Sequence, residues 1–226
     1  SSDVVVYTDP ELNTDTSNDE DEYVVEDYEQ LGYRVFPNPA SSDFSTREHE
    51  EPWPSGRTNH YHFDLNRDWT WLTQKETSQR MKLYNSWMPH IHVDYHEQNF
   101  DEPYYFAPAA RPYHNQITSW QRELQKIIGK NHARYFDKNN WLYFTKEHFD
   151  LLYPGYGDTY PIYNGAIGMT YEKAGGGAGG ISVATSDGDT LTLRSRIKHH
   201  HITGLSTVES AYKHKDRIIK EFKYFF

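Results

Sequence analysis

The residues best suited to chemistry lie on three short stretches. His92-Val93-Asp94-Tyr95-His96-Glu97 ends in an imidazole and a carboxylate. Asp64-Leu65-Asn66-Arg67-Asp68-Trp69 carries an amide beside a guanidinium. Gly168-Met169-Thr170-Tyr171-Glu172 ends in a second carboxylate. Arg57 lies nine residues before Asn66, and Tyr153, Tyr156 and Tyr160 come shortly before Glu172. If they converge, they make a hydrolytic set. His96 could bind a metal or move a proton. Glu172, at a water-poor strand end, could act as general base with its pKa raised by burial. The planar forks of Arg57 and Arg67 match a carboxylate and an oxyanion. A loop tyrosine could donate a hydrogen bond to the substrate. Such a set suits a substrate with a free carboxylate. Each residue also has a plain structural role open to it: Arg67 and Arg57 as surface ion pairs, His96 as a hydrogen-bonded strand residue, Glu172 as a solvated loop carboxylate, Tyr156 as packing.

The elements that must position these residues are legible in part. Ile91, Val93 and Tyr95 alternate with His92, Asp94 and His96, the period of a strand. An amphipathic helix pattern precedes it over 72–88 and stops at Pro89, which lacks the N–H a helix needs. Residues 61–69 read as a strand running into a polar turn, with His60 and His62 on one face. Residues 104–108 read as a Tyr/Pro/Phe-rich loop. Ile117, Trp120, Leu124, Ile127 and Ile128 recur at helical spacing, which predicts a helix over 115–136. Residues 141–144 are a strand candidate, 146–152 one or two helical turns, 153–163 a loop, and 166–172 a buried strand. The glycine-rich stretch 174–180 lacks the GxxxxGK[ST] pattern and is no phosphate loop. Residues 190–226 predict helix, broken near Gly204. Consecutive helical residues point about 100° apart, so His199-His200-His201 cannot share a metal and is expected in solvent. Residues 4–7 predict a short strand, and 11–52 an acidic surface insertion with one short helix around 21–31. Strands alternating with helices give an α/β fold: a mixed, mostly parallel twisted sheet flanked by helices, in one domain over 1–226.

Composition excludes several classes. A net charge of −10 argues against nucleic acid and anionic membrane surfaces as partners. No apolar run approaches the roughly 18 residues of a membrane span. The chain has no cysteine, so disulfides, thiolate metal sites and a cysteine nucleophile are out, and a metal would need His and carboxylates. Aromatics at 16% suit a deep core and a groove lined with ring faces.

The sequence resembles the zinc carboxypeptidases of the carboxypeptidase A type, in the flavour of exported, multidomain bacterial members. Asp64-Leu65-Asn66-Arg67-Asp68-Trp69 is similar to that family's Asp-Leu-Asn-Arg-Asn-Phe/Trp motif, and Thr170-Tyr171-Glu172 to its Thr-Tyr/Phe-Glu strand. The resemblance implies a carboxypeptidase-like (phosphorylase/hydrolase-like) sheet. It also implies zinc-dependent removal of C-terminal residues from peptides, and a secreted or periplasmic location. It gives Glu172 the role of catalytic base and Arg57 that of polarising the scissile carbonyl. Asn66 and Arg67 would bind the terminal carboxylate, His96 would be the third zinc ligand, and Tyr156 or Tyr153 would close over the substrate. The side-chain selector of the family falls near 157–163, where Asp158 stands out.

One departure matters. The family takes its first two zinc ligands from a His-x-x-Glu motif, and none of the 13 histidines here has Glu three residues later. The missing ligands are therefore expected upstream of Ser1, in an N-terminally truncated, partial peptidase domain whose parent binds one zinc ion. This polypeptide alone is expected to hold zinc weakly or not at all. Two other functions compete: a metal-free module that grips peptide C-termini without cutting, and a fragment inactive by itself.

Overall fold

The structure, a computed structural model, describes residues 42, 43, 45, 49, 56–176, 178 and 180–226. The expected strand at 4–7, the helix near 21–31 and most of the acidic insertion lie outside these. A single 3-10 turn, Leu65–Arg67, is followed by α1 (Lys75–Trp87), β1 (Ile91–Gln98), β2 (Tyr104–Tyr113), α2 (Ser119–Lys138), β3 (Tyr143–Leu151), α3 (Thr159–Tyr163), β4 (Ile167–Ala174), the small strands β5 (Ser182–Ala184) and β6 (Thr190–Thr192), and α4 (Leu193–Phe225). The main sheet runs β1-β4-β2-β3. Two of its pairings, β1 with β4 and β2 with β3, are parallel; β2 with β4 is antiparallel. The result is a mixed, mostly parallel sheet flanked by helices.

The alternation of β1 and β4 sorts their side chains onto two faces. Ile167, Met169 and Tyr171 point with Tyr104 and Phe106 into a core closed by Trp120, Leu124, Ile128 and Phe136 of α2 and Ile218 of α4. His92, Asp94 and His96 pair with Gly168, Thr170 and Glu172 on the other face. There Tyr84 of α1 and Tyr160 of α3 pack around His92 and Trp69. The entry to β4 is fastened from α2, which opens with a Thr118–Gln121 capping box. Gln121 Nε2 donates to the carbonyls of Ile162 and Ala166, and Gln125 Nε2 to that of Gly168. Buried amides are kept where they satisfy backbone acceptors in this way.

Several local expectations are corrected. Residues 61–69 form a turn and a 3-10 helix, not a strand. Asp64 caps the turn by accepting from the Asn66 backbone N–H, and His60 and His62 are both exposed. Residues 104–108 are no loop but the buried start of β2, whose prolines fall where its register with β3 shifts and no ladder donor is needed. Residues 146–152 extend β3 instead of turning as helix, because Phe144 and Phe149 both cover the Tyr105 ring. The final helix is unbroken: Gly204 lies against the sheet, where a Cβ would stand 3.1 Å from the Tyr95 hydroxyl. The histidine triplet is not all in solvent. His200 Nδ1 meets the Tyr104 hydroxyl at 2.8 Å and the His199 ring packs on Trp141, so only His201 is exposed. Burial and the nearby Lys173 push His199 down to about 3 and His200 to about 4.

His132 of α2 is fully buried against α4, sharing a 2.7 Å hydrogen bond with Ser206 Oγ, and burial pushes it down to about 3. Its unfolded pKa is about 6.5, so the unfolded chain binds a proton there that the folded chain does not. Stability from this group is full above about pH 6.5 and falls as pH drops toward 3, by up to about 1.4 kcal/mol per unit. His132→Gln is therefore expected to flatten the loss of stability between pH 6.5 and 4.5, read as urea midpoints at the two values. An unchanged slope would contradict this.

Candidate functional site

The face of the sheet bearing Asp94, His96, Thr170 and Glu172 gathers most of the expected residues. The 3-10 turn brings Asn66 against β1: its Nδ2 donates to Asp94 Oδ2 at 3.0 Å and lies 2.9 Å from His96 Nε2. Its Oδ1 accepts from the Gly157 backbone N–H at 2.8 Å and from Trp69 Nε1 at 3.1 Å. The loop before β4 is thereby tied to the turn. A Cβ at Gly157 would fall 2.4 Å from Asp94 Oδ2, so this close approach requires glycine.

His96 Nε2 and Asp94 Oδ2 are 2.7 Å apart. Burial works against both charges, but their mutual bond outweighs it. Asp94, also held by Asn66, lies below the usual carboxylate range, and His96 lies above its ordinary value. Glu172 is 7% exposed, and among the described residues its Oε2 has no hydrogen-bond partner. Burial pushes it up to about 7; His96 and Arg57 pull the other way, while Asp94 and Asp158 add to the rise. Asp158 is buried beneath this face, accepting from the Thr170 and Thr159 hydroxyls, and burial pushes it up to about 6.

Arg57 and Arg67 lie at the exposed mouth. Arg57 meets Asp64 Oδ2 at 3.0 Å, and Arg67 Nη1 comes within 3.6 Å of the same oxygen. The Arg67 guanidinium stacks 4.5 Å over the Tyr156 ring. Tyr153 is tied down: its hydroxyl donates to the Arg67 carbonyl at 3.1 Å and accepts from Trp71 Nε1 at 2.7 Å. All seven residues singled out in the sequence thus lie around one edge of the sheet. Asp94 was not singled out, although its place two residues before His96 puts it on the same strand face. The burial of Asp158 depends on the long-range contact with Thr170, for which the local sequence carries no signal.

Zinc does not fit the described residues alone. Among them no three of His, Asp and Glu group as metal ligands, and His96 is one imidazole where a structural or catalytic zinc takes at least three protein ligands. No helix among the described residues is long and apolar enough to cross a membrane.

No family model and no curated protein matches the sequence. Among solved structures, the chain is similar to a metallo-carboxypeptidase from Burkholderia cenocepacia, with a TM-score of 0.51 and 14% sequence identity over 71% of this chain. The chain spans 40% of the length of that protein. The likeness shows the fold: a carboxypeptidase-like α/β sheet.

Proposed function

We propose that this chain carries the base-bearing and carboxylate-gripping part of a zinc-dependent carboxypeptidase-type hydrolase, which removes C-terminal residues from peptide or protein substrates. The observation that carries the reading is Glu172: a buried carboxyl whose Oε2 has no hydrogen-bond partner among the described residues, pushed up to about 7, beside His96 in the sheet and within the field of Arg57. A base poised near the working pH suits proton transfer. Glu172 would take a proton from the attacking water and return it to the leaving amine as the C–N bond breaks. Arg57 would face the oxyanion. Arg67 would hold the terminal carboxylate beside Asn66, whose amide braces the turn. Tyr156, with its ring under Arg67, is better placed than the tethered Tyr153 to donate to the substrate. Zinc enters on the resemblance alone; it would need ligands outside the described residues besides His96 and would supply Lewis-acid assistance. The exported location and the absence of nucleic-acid or membrane partners are proposed likewise from the sequence.

A second reading has one observation in its favour. His96 Nε2 is already engaged by Asp94 at 2.7 Å, which suits a module that binds C-termini without cleavage. Arg67→Ala tests the grip common to both readings. Loss of a charge-assisted contact costs about 1.5–3 kcal/mol, so affinity for a peptide with a free C-terminus should fall roughly 10- to 100-fold, read by calorimetry. The same peptide with an amidated C-terminus should bind wild type and variant alike. Equal binding of the free and amidated peptides by wild type would overturn both readings.

A further inference from the structure

We infer that the helix-facing side of the sheet, opposite the candidate site, carries an anion site in which Lys173, Arg196 and His199 take a small tetrahedral oxyanion of the phosphate kind. The inference is independent of the peptidase reading and of any metal.

The topology brings these residues together. Lys173 follows Glu172 on β4, so its side chain leaves the sheet on the other face, toward α4. Glu97 of β1 pairs with Lys173 on one side. On the other, Tyr105 opposes Glu172 in an antiparallel pairing, which puts Tyr104 of β2 opposite Lys173. The first two turns of α4 cross this row. Arg196 Nη1 meets Glu97 Oε1 at 2.8 Å, and its Nη2 donates to the Gly180 carbonyl. One turn on, the His199 ring packs on Trp141 and stands edge-on to Tyr104, while His200 Nδ1 meets the Tyr104 hydroxyl. Lys173 thus lies beneath Arg196 and His199, which are three residues apart and share a helix face.

The three side chains offer nitrogens with nothing to bond. Lys173 is 6% exposed, and among the described residues neither a hydrogen bond nor a carboxylate offsets the burial of its ammonium. Arg196 Nε and His199 Nδ1 are also buried without a partner there. Glu97, the carboxylate beside them, is engaged by Arg196, so two cations face one anion. Lys198 adds to the positive side. A buried charge is costly unless it is paired, and a partner of negative charge would remove that cost. Burial and Lys173 keep the His199 ring neutral, and a neutral ring still donates through an Nδ1–H. The donors approach from a strand below and a helix above. A planar carboxylate presents its two oxygens in one plane, whereas a tetrahedral oxyanion presents oxygens in both directions. Bonds from an ammonium and a guanidinium to such an anion are charge-assisted and strong.

Inorganic phosphate titrated into the whole chain, followed by calorimetry, tests this. Wild type should bind one phosphate with a Kd of about 1 mM or tighter. Lys173→Met, close in length but without the charge, should weaken binding roughly 10- to 100-fold. Phosphate should raise the Tm of wild type and leave that of Lys173→Met where it is. His199→Phe keeps a ring on Trp141 and removes the nitrogen, so it too should weaken binding. Arg67→Ala, at the mouth on the opposite face, should bind phosphate as wild type does. No saturable binding by wild type, unchanged binding in Lys173→Met and His199→Phe, or binding lost in Arg67→Ala alone would overturn the inference. Failure of the peptidase reading would appear in the peptide assays and leave these titrations as they are.

Discussion

Glu172→Gln will be more stable than wild type at pH 8 and less stable than it at pH 4, where the carboxyl is protonated. The carboxyl sits at about 7 in the folded protein against an ordinary 4.5. Its folded pKa is raised, so its contribution to stability is full below about pH 4.5 and lost as pH rises through 7. At about 1.4 kcal/mol per unit the penalty above pH 8 reaches roughly 3.4 kcal/mol. The glutamine amide still lacks a partner at the position of Oε2, which brings the expected gain to about 1–2 kcal/mol. At this chain length that corresponds to a rise in Tm of about 2–8 °C. The same substitution removes the base and should reduce peptide hydrolysis by roughly 10²- to 10⁴-fold. Thermal unfolding of both proteins at pH 4 and pH 8 checks the first half. A variant no more stable than wild type at pH 8 would mean that Glu172 is solvated and is no candidate base.

Gly168→Ala should cost more stability than any single change at the protein surface. Gly168 is the second residue of β4, paired with His92, and the Asp158 backbone rests directly on it. A Cβ there would fall 1.8 Å from the Asp158 carbonyl oxygen and 2.9 Å from Ile162 Cγ1. The clash is with backbone, so the segment carrying Asp158 and α3 must lift off the sheet. Overpacking of this kind costs about 1–3 kcal/mol, and a clash with backbone belongs at or above the upper end. The lift would also pull Asp158 from Thr170 and admit water beside Glu172, returning its pKa toward the ordinary range. Gly188 is the control. Nothing lies within 4 Å of a Cβ there, and its φ of +86° exacts only a backbone cost of about 1 kcal/mol on alanine. Urea midpoints of the two variants should differ clearly, and equal midpoints would contradict the close packing of Asp158 on β4.

The parts of the fold legible in the sequence were those with uninterrupted periodicity. β1 shows the alternation that places Asp94 and His96 on one face, and β4 is an apolar run ending in Glu172. α2 carries both its helical spacing and its Thr118–Gln121 cap. What failed had local chemistry that mimics something else. Tyr61, Phe63 and Leu65 alternate like a strand, but the Asp64 side chain captures the Asn66 N–H and turns the chain. Pro108 and Pro112 disguise β2, which tolerates them through register shifts. Gly204 reads as a helix break and instead marks the approach of the Tyr95 hydroxyl. The candidate site was legible as residue types, through Asn66-Arg67, His96 and Glu172. Its bracing was not: Asp158 on Thr170 and Gly157 on Asn66 join residues far apart in the chain.

The most direct test of the central claim is the fate of a short peptide incubated with the zinc-supplemented whole protein, followed by mass spectrometry. The peptide is offered with a free and with an amidated C-terminus, in ordinary water and in water enriched in heavy oxygen. The account predicts loss of single residues from the C-terminus of the free peptide alone, heavy oxygen in the new terminal carboxylate, and no reaction with Glu172→Gln. Binding of the free peptide without any cleavage, or cleavage that persists in Glu172→Gln, would contradict it.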